Sequence, residues 1–191
     1  MLGGIFVGGR GVRMGGVAKG LLRGVDGTPL VLRAQRILVS VGLEPVLVGA
    51  HEAYADLGIE QLEDDPASMG PLAGLLALLE RGGGLAVACD MPAFTDEAIR
   101  RLVAAPPAEI VAPRHLADDL GREVWEPLFA RYAPTVLPAA RRFAARGERR
   151  LQRLLDEVGA TPLVLAESEQ AWLTDWDVPG DLLGAGVSEK Q

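Results

Sequence analysis

Apolar and polar positions follow two rhythms along the chain. Residues 2–7 form a short apolar run that predicts a strand, and the run empties into a glycine-rich stretch. Over residues 30–41, Leu30, Ala34, Ile37, Leu38 and Val41 fall on one helical face. "EPVLVGA" follows as an unbroken apolar run, the pattern of a strand covered on both faces. "GPLAGLLALLERGG" sets Pro71 near a helix N-terminus and stops in glycines. "GLAVACDMP" is another buried strand, ending on an acid and a proline break. "TDEAIRRLVAA" offers Thr95 as N-cap with acids in the first turn. "EIVAP" reads as a fourth strand. Residues 123–160 read as a short extended piece and then two helices. "TPLVLAE" is a late strand, and "WDVPGDLL" closes the chain.

Strand and helix in alternation predict an α/β fold: a mostly parallel sheet with helices on both faces, as one domain over residues 1–191. In such sheets a ligand lies at the carboxyl ends of the strands. Two features fall there, the glycine stretch after the first strand and Asp90 after "LAVAC". They come from separate parts of the sequence, yet this topology can bring both into one crevice.

Composition narrows the classes. Of 191 residues, 49% are apolar, enough for a substantial core. The formal net charge of −7 argues against a nucleic-acid partner. The single cysteine, Cys89, excludes an internal disulfide and suits a reducing compartment. No Cys/His cluster has zinc spacing. No signal peptide is legible, and no apolar run reaches the ~18 residues of a membrane span, so a cytoplasmic protein is expected, as a monomer or weak homo-oligomer.

The stretch "FVGGRGVRMGGVAKGLL" carries more than a flexible turn. Glycines admit close backbone approach, and successive N–H groups form an anion nest. Arg13 can grip phosphate oxygens bidentately and Lys19 adds a compact charge. It is neither a GxxxxGK[ST] loop nor a GxGxxG fingerprint. A carboxylate such as Asp90 beside phosphates would repel them unless Mg²⁺ lies between. Asp175, Asp177 and Asp181 cluster late in the chain as further acids, with a solvated acidic stretch as the plain alternative. Asp64 and Asp65 precede a helix, where acids are ordinary dipole partners.

Together the motifs resemble those of the molybdenum cofactor guanylyltransferases. "FVGGRGVRMGGVAKGLL" resembles their LAGGxSxRMGxDK signature, and "GPLAG", "CDMP" and "EPLFARY" follow in that family's order. The resemblance implies a Rossmann-like, three-layer α/β/α nucleotidyltransferase fold. It also implies a reaction in which GTP and molybdenum-bound molybdopterin give the guanine dinucleotide cofactor and pyrophosphate. Carried over by position, Phe6, Val7, Gly8 and Gly9 lie along the guanosine, and Arg13 and Lys19 hold the triphosphate. Asp64 contacts the nucleoside, Gly70, Pro71, Leu72, Ala73 and Gly74 shape its pocket, and Asp90 holds Mg²⁺.

The chain departs from the pattern in places. Val7 replaces an alanine, and Ala18 replaces the aspartate before Lys19, which leaves that lysine to be oriented otherwise. Gly49 stands where a strand end often supplies an asparagine. Asp175 and Asp177 replace two asparagines, which resembles the related cytidylyltransferases and makes Asp177 a second expected Mg²⁺ ligand. The Gly8-Gly9 pair and "GPLAG" favour guanine over cytosine.

Attacker and target in such a reaction are both anions, so the protein must mainly position them and neutralise charge. A phosphate monoester is already mostly ionised at neutral pH and needs no general base. This agrees with a chain whose two histidines, His51 and His115, are expected at the surface. Arg141, Arg142, Arg146, Arg149, Arg150 and Arg153 read as a solvated helical face. The alternative is a receptor for the pterin phosphate or for an acidic partner, such as a molybdoenzyme chaperone. Trp125, Trp172 and Trp176 read as packing residues rather than pterin stackers. Two rival readings stand beside this one: a nucleotidyltransferase for another base or acceptor, such as a sugar phosphate or phospholactate, and a nucleotide-binding module without turnover.

Overall fold

The computed structural model describes residues 1–7, 18–24, 26–63, 70–117 and 121–174. Strand β1 (Leu2–Phe6) pairs in parallel with β2 (Glu44–Val48) on one side and β4 (Gly84–Ala88) on the other. A short β3 (Gln61–Leu62) extends β2 in parallel. Beyond β4 come β7 (Phe129–Tyr132), then β5 (Ile110–Ala117) with β6 (Arg122–Trp125) folded back along it. The late β8 (Thr161–Leu163) pairs in parallel with β5.

The first half of this sheet is the expected parallel array, but the second is not. β7 lies antiparallel between β4 and β5, so those two strands point the same way without touching. The sequence reading placed one extended piece there; the chain forms two strands, bent apart where the Glu126 N–H donates to the Pro113 carbonyl at 3.0 Å. β5 also runs through Pro113 instead of stopping at it. A proline interrupts a central ladder but is tolerated where no partner needs its N–H.

Helices cover both faces. On one, α1 (Leu30–Ser40) and α3 (Asp96–Ala104) enclose a core built on Ile5, Leu38, Leu47, Val87, Phe94 and Phe129. On the other, α2 (Pro71–Glu80), α4 (Leu137–Ala145) and α5 (Leu151–Val158) pack over Phe6, Val48, Leu75, Ala86 and Tyr132. Of the α1 face predicted from spacing, Leu30, Ala34 and Leu38 are enclosed and Ile37 and Val41 are partly buried against the same core, while Val31, outside that spacing, is enclosed as well. Thr95 caps α3 as expected, its hydroxyl accepting the Ala98 N–H at 3.3 Å.

The far end of α3 has no glycine stop. Its last carbonyls are met instead by Arg131 of β7, whose guanidinium donates to the carbonyls of Leu102, Val103, Ala105 and Pro106. Cation and helix C-terminus are a favourable pairing.

Candidate active site

The carboxyl ends of β2, β1 and β4 are held level by two bonds that continue the ladder past the strands. The Val7 N–H donates to the Val48 carbonyl at 3.0 Å, and the Cys89 N–H to the Phe6 carbonyl at 3.2 Å. Asp90 leaves the sheet one residue later. Behind it Met91 and Phe94 are buried. Arg33 of α1 donates to the Phe94 carbonyl at 2.6 Å and lies over the Phe94 ring, which pins the segment between Asp90 and α3.

Lys19 reaches the same edge from a short 3-10 turn, Lys19–Leu21, ahead of α1. Its Nζ donates to Asp90 Oδ2 at 2.8 Å, with side chains 22% and 18% exposed. This contact spans 71 positions of sequence and joins two residues singled out separately from the chain. Ala18 provides no side-chain cap to the turn. Asp90 is one partner that orients Lys19 where the family's aspartate is missing.

Gly70 begins α2 at the same edge, because a helix returning between parallel strands runs antiparallel to them. Its φ of +62° and ψ of −146° suit glycine alone, which explains that residue of "GPLAG". Pro71 then takes the first helical position, where its missing N–H costs nothing. Leu72, Ala73 and Gly74 are buried beneath them. Gly74 faces β1 and β2: a Cβ there would come 2.6 Å from Val48 Cγ1 and 3.0 Å from Phe6 Cε1. The block therefore sets the seat of α2 on the sheet, and any contact from Leu72 to a ligand is made by its backbone. Phe6 and Val7 are likewise enclosed, at 6% and 7% exposure. Gly49 has φ +96°, a backbone conformation that favours glycine.

Of the residues expected in the site, Phe6, Val7, Lys19, Gly70, Pro71, Leu72, Gly74 and Asp90 are described and border this edge or support it. Gly8, Gly9, Arg13, Asp64 and Asp177, together with Asp65, Asp175, Asp181 and Trp176, lie outside the described residues. Among the described residues, no group of three or more His, Cys, Asp or Glu side chains could hold a metal by itself. Cys89, next to Asp90, is buried, and that burial pushes its thiol up to about 12.

Of the two histidines expected at the surface, one lies there and one does not. His51 is exposed, and its Nδ1 accepts the Ala53 N–H at 3.1 Å to cap a 3-10 segment. His115, also expected at the surface, is half-buried on β5, and its Nδ1 is buried with no hydrogen-bond partner among the described residues. The arginine run behaves as a solvated face: Arg141 pairs with Glu80, Arg146 with Glu157 and Arg153 with Glu148. Trp125 is packed, with its Nε1 donating to Asp156 at 2.8 Å and Arg114 over its ring. Tyr54, unremarked in the sequence, is buried and accepts the Gly20 N–H at 3.2 Å beside Lys19. Nothing in "HEAYADLG" beyond the tyrosine itself marks it.

A lysine and a carboxylate meeting at the strand ends of a parallel sheet, after a glycine stretch, suit a site for an anion and a hard cation. A model of the MobA-like NTP transferase domain matches residues 3–161. The chain belongs to that family. A "Molybdenum cofactor guanylyltransferase" of Methylibium petroleiphilum is 36% identical over 160 residues, covering 78% of each chain. The solved "Molybdopterin-guanine dinucleotide biosynthesis protein A" of Archaeoglobus fulgidus superposes with a TM-score of 0.76 at 23% identity, covering 97% of this chain and 96% of that one. The 2-C-methyl-D-erythritol 4-phosphate cytidylyltransferase of Thermus thermophilus superposes with a TM-score of 0.68 at 16% identity, covering 96% of each. The MobA-like fold thus also houses cytidylyl transfer, so fold alone does not choose the base. Among the described residues of this MobA-like chain, no helix is long and apolar enough to cross a membrane.

Proposed function

We propose that the protein transfers GMP from GTP to the terminal phosphate of molybdenum-bound molybdopterin, releasing pyrophosphate. The observation that carries this reading is the Lys19–Asp90 contact at the strand ends. It puts a cation and a carboxylate where the glycine stretch leaves β1, and sequence relatives named for guanylyl transfer supply the base.

A phosphate oxygen of the acceptor attacks the α-phosphorus of GTP. The bond from that phosphorus to the bridging oxygen breaks, and pyrophosphate leaves with the electron pair. Lys19 serves as a positive contact for the phosphates, and Arg13 is the second residue expected in that role. The donor set at Asp90 fits Mg²⁺, because this ion takes hard carboxylate oxygens and fills its remaining positions with water and phosphate oxygens. Asp90 would hold it, with Asp177 as the second expected ligand. Bound there, Mg²⁺ would neutralise phosphate charge. The Cys89 N–H on the Phe6 carbonyl and the Arg33 guanidinium on the Phe94 carbonyl hold the segment that carries Asp90, the kind of fixed support that lowers reorganisation when charge develops. The single cysteine suits a reducing cytoplasm as the place of this reaction.

The test is direct. The full chain is incubated with Mg²⁺, purified molybdenum cofactor and GTP or CTP carrying a labelled α-phosphate. Label in a guanine dinucleotide together with released pyrophosphate is the expected result. Preference for CTP would replace the base, transfer only to another phosphorylated acceptor would replace the substrate, and GTP binding without pyrophosphate would leave a binding module.

A further inference from the structure

The Lys19–Leu21 turn hangs between two elements. Within it, the Leu21 N–H donates to the Ala18 carbonyl at 2.8 Å and the Leu22 N–H to the Lys19 carbonyl at 3.0 Å. Ala18, at its N-cap, has no side-chain oxygen to offer. The Gly20 N–H is one of the donors that the start of any helical turn leaves unmet. It is satisfied from 34 positions away, by the Tyr54 hydroxyl at 3.2 Å.

Tyr54 is the one buried residue of its 3-10 segment, Glu52–Leu57, and is 1% exposed. The segment is fixed at both ends, by the His51 side chain at its start and by Gly58 in the left-handed region at its close. Opposite the hydroxyl, the turn is backed by α1. A Cβ on Gly20 would come 3.0 Å from Tyr54 Oη and 3.1 Å from Val31 Cβ. The glycine is therefore gripped between a hydroxyl and a helix. A phenylalanine would fill the same apolar space as Tyr54, so the hydroxyl is the part that packing does not explain. Burial pushes it up to about 12, so it stays a neutral acceptor across the physiological range.

We propose that Tyr54 is a positioning residue for the phosphate site: by accepting the Gly20 N–H it fixes the turn that delivers Lys19 to Asp90. The inference rests on the reading of Lys19 as a phosphate contact. Tyr54 touches neither reactant and acts only through the turn.

Tyr54→Phe and Lys19→Ala are made singly and together in the full chain. The first measurement needs no substrate: in Tyr54→Phe the Gly20 amide exchanges faster, and a ligand-free crystal structure shows the Lys19 Nζ–Asp90 Oδ2 contact lengthened from 2.8 Å. An unchanged contact overturns the proposal, whatever the substrate proves to be. The second measurement is kcat/KM for GTP with Mg²⁺. Small misplacements at a reacting centre cost up to ~10²-fold, so losing this one support is expected to cost about tenfold, with the KM for the pterin acceptor unmoved. In the Lys19→Ala background the same change costs less than about twofold, because coupled residues are not additive. Equal losses in both backgrounds, or none in either, overturn the proposal. If Tyr54→Phe folds poorly, Gly20→Ala presses on the same contact from the other side and must show the same dependence on Lys19. A wild-type chain that shows no GTP turnover counts against the guanylyl reading alone, since the amide exchange and the Lys19–Asp90 contact are read without nucleotide.

Discussion

The two halves of the sheet use charge in opposite ways. Along the parallel half, Lys19 and Asp90 meet about one-fifth exposed, steadied by Tyr54 on one side and Arg33 on the other. Along the antiparallel half, the arginine-rich helices pair off in solvent: Arg146 with Glu157 at 53% and 48% exposure, Arg153 with Glu148 at 62% and 33%. The sequence makes the second region look like the stronger electrostatic feature, with six arginines against one lysine. The structure reverses the ranking. A charge matters where water is partly excluded and its position is fixed, and exposed pairs contribute little.

The largest expected effect breaks this contrast or secures it. Asp90→Ala and Lys19→Ala should each lower turnover by ~10²–10³, the usual loss when one electrostatic contact to a reacting group is removed. Pyrophosphate release at saturating GTP and Mg²⁺ reads it, and near wild-type rates would remove the residue from the site.

Alkaline pH should come next. Tyr54 binds its proton more tightly in the folded chain, at about 12 against an ordinary 10.0. Its contribution to stability is whole below pH 10 and falls as pH rises toward 12, by at most about 3 kcal/mol. Cys89, raised from 9.0 to about 12 by burial, acts with the same sign. Melting temperature followed from pH 8 upward should therefore drop less steeply in Tyr54→Phe than in the wild type.

Gly74→Ala tests the seat of α2. The added Cβ would lie 2.6 Å from Val48 Cγ1, and overpacking of this kind costs about 1–3 kcal/mol. Thermal melting reads the loss, and an unchanged melting point would mean α2 slides freely on β1 and β2. The smallest effect belongs to the other half. Arg146→Ala and Arg153→Ala should each change stability by less than about 1 kcal/mol and leave kcat/KM for both substrates alone. A tenfold fall for the pterin substrate would turn that face from solvated surface into an acceptor site.

The parallel half was legible because its signals are local. α1 shows its buried face in the spacing of Leu30, Ala34 and Leu38, Thr95 announces α3, and Asp90 follows an apolar run. The meeting of Lys19 and Asp90 followed from topology, since strand ends in such a sheet share one edge. The antiparallel half was not legible, for physical reasons. "FARY" lies covered on both faces, so it lacks the alternation of a half-exposed strand, and nothing local says that it inserts between β4 and β5. Tyr54 was missed because its partner is a backbone N–H, which leaves no mark in residue types. His115 was misjudged because a lone histidine on a strand shows nothing of what folds back over it.

Arg131 links the halves in one more way. Its guanidinium closes the open end of α3, so that helix borrows its terminus from a strand laid down some thirty residues later. A chain cut between α3 and β5 would leave those peptide oxygens facing solvent and the outer edge of β4 bare. Cooperativity follows: the early βα units cannot reach their native free energy before the hairpin docks, and the two halves should melt in a single transition.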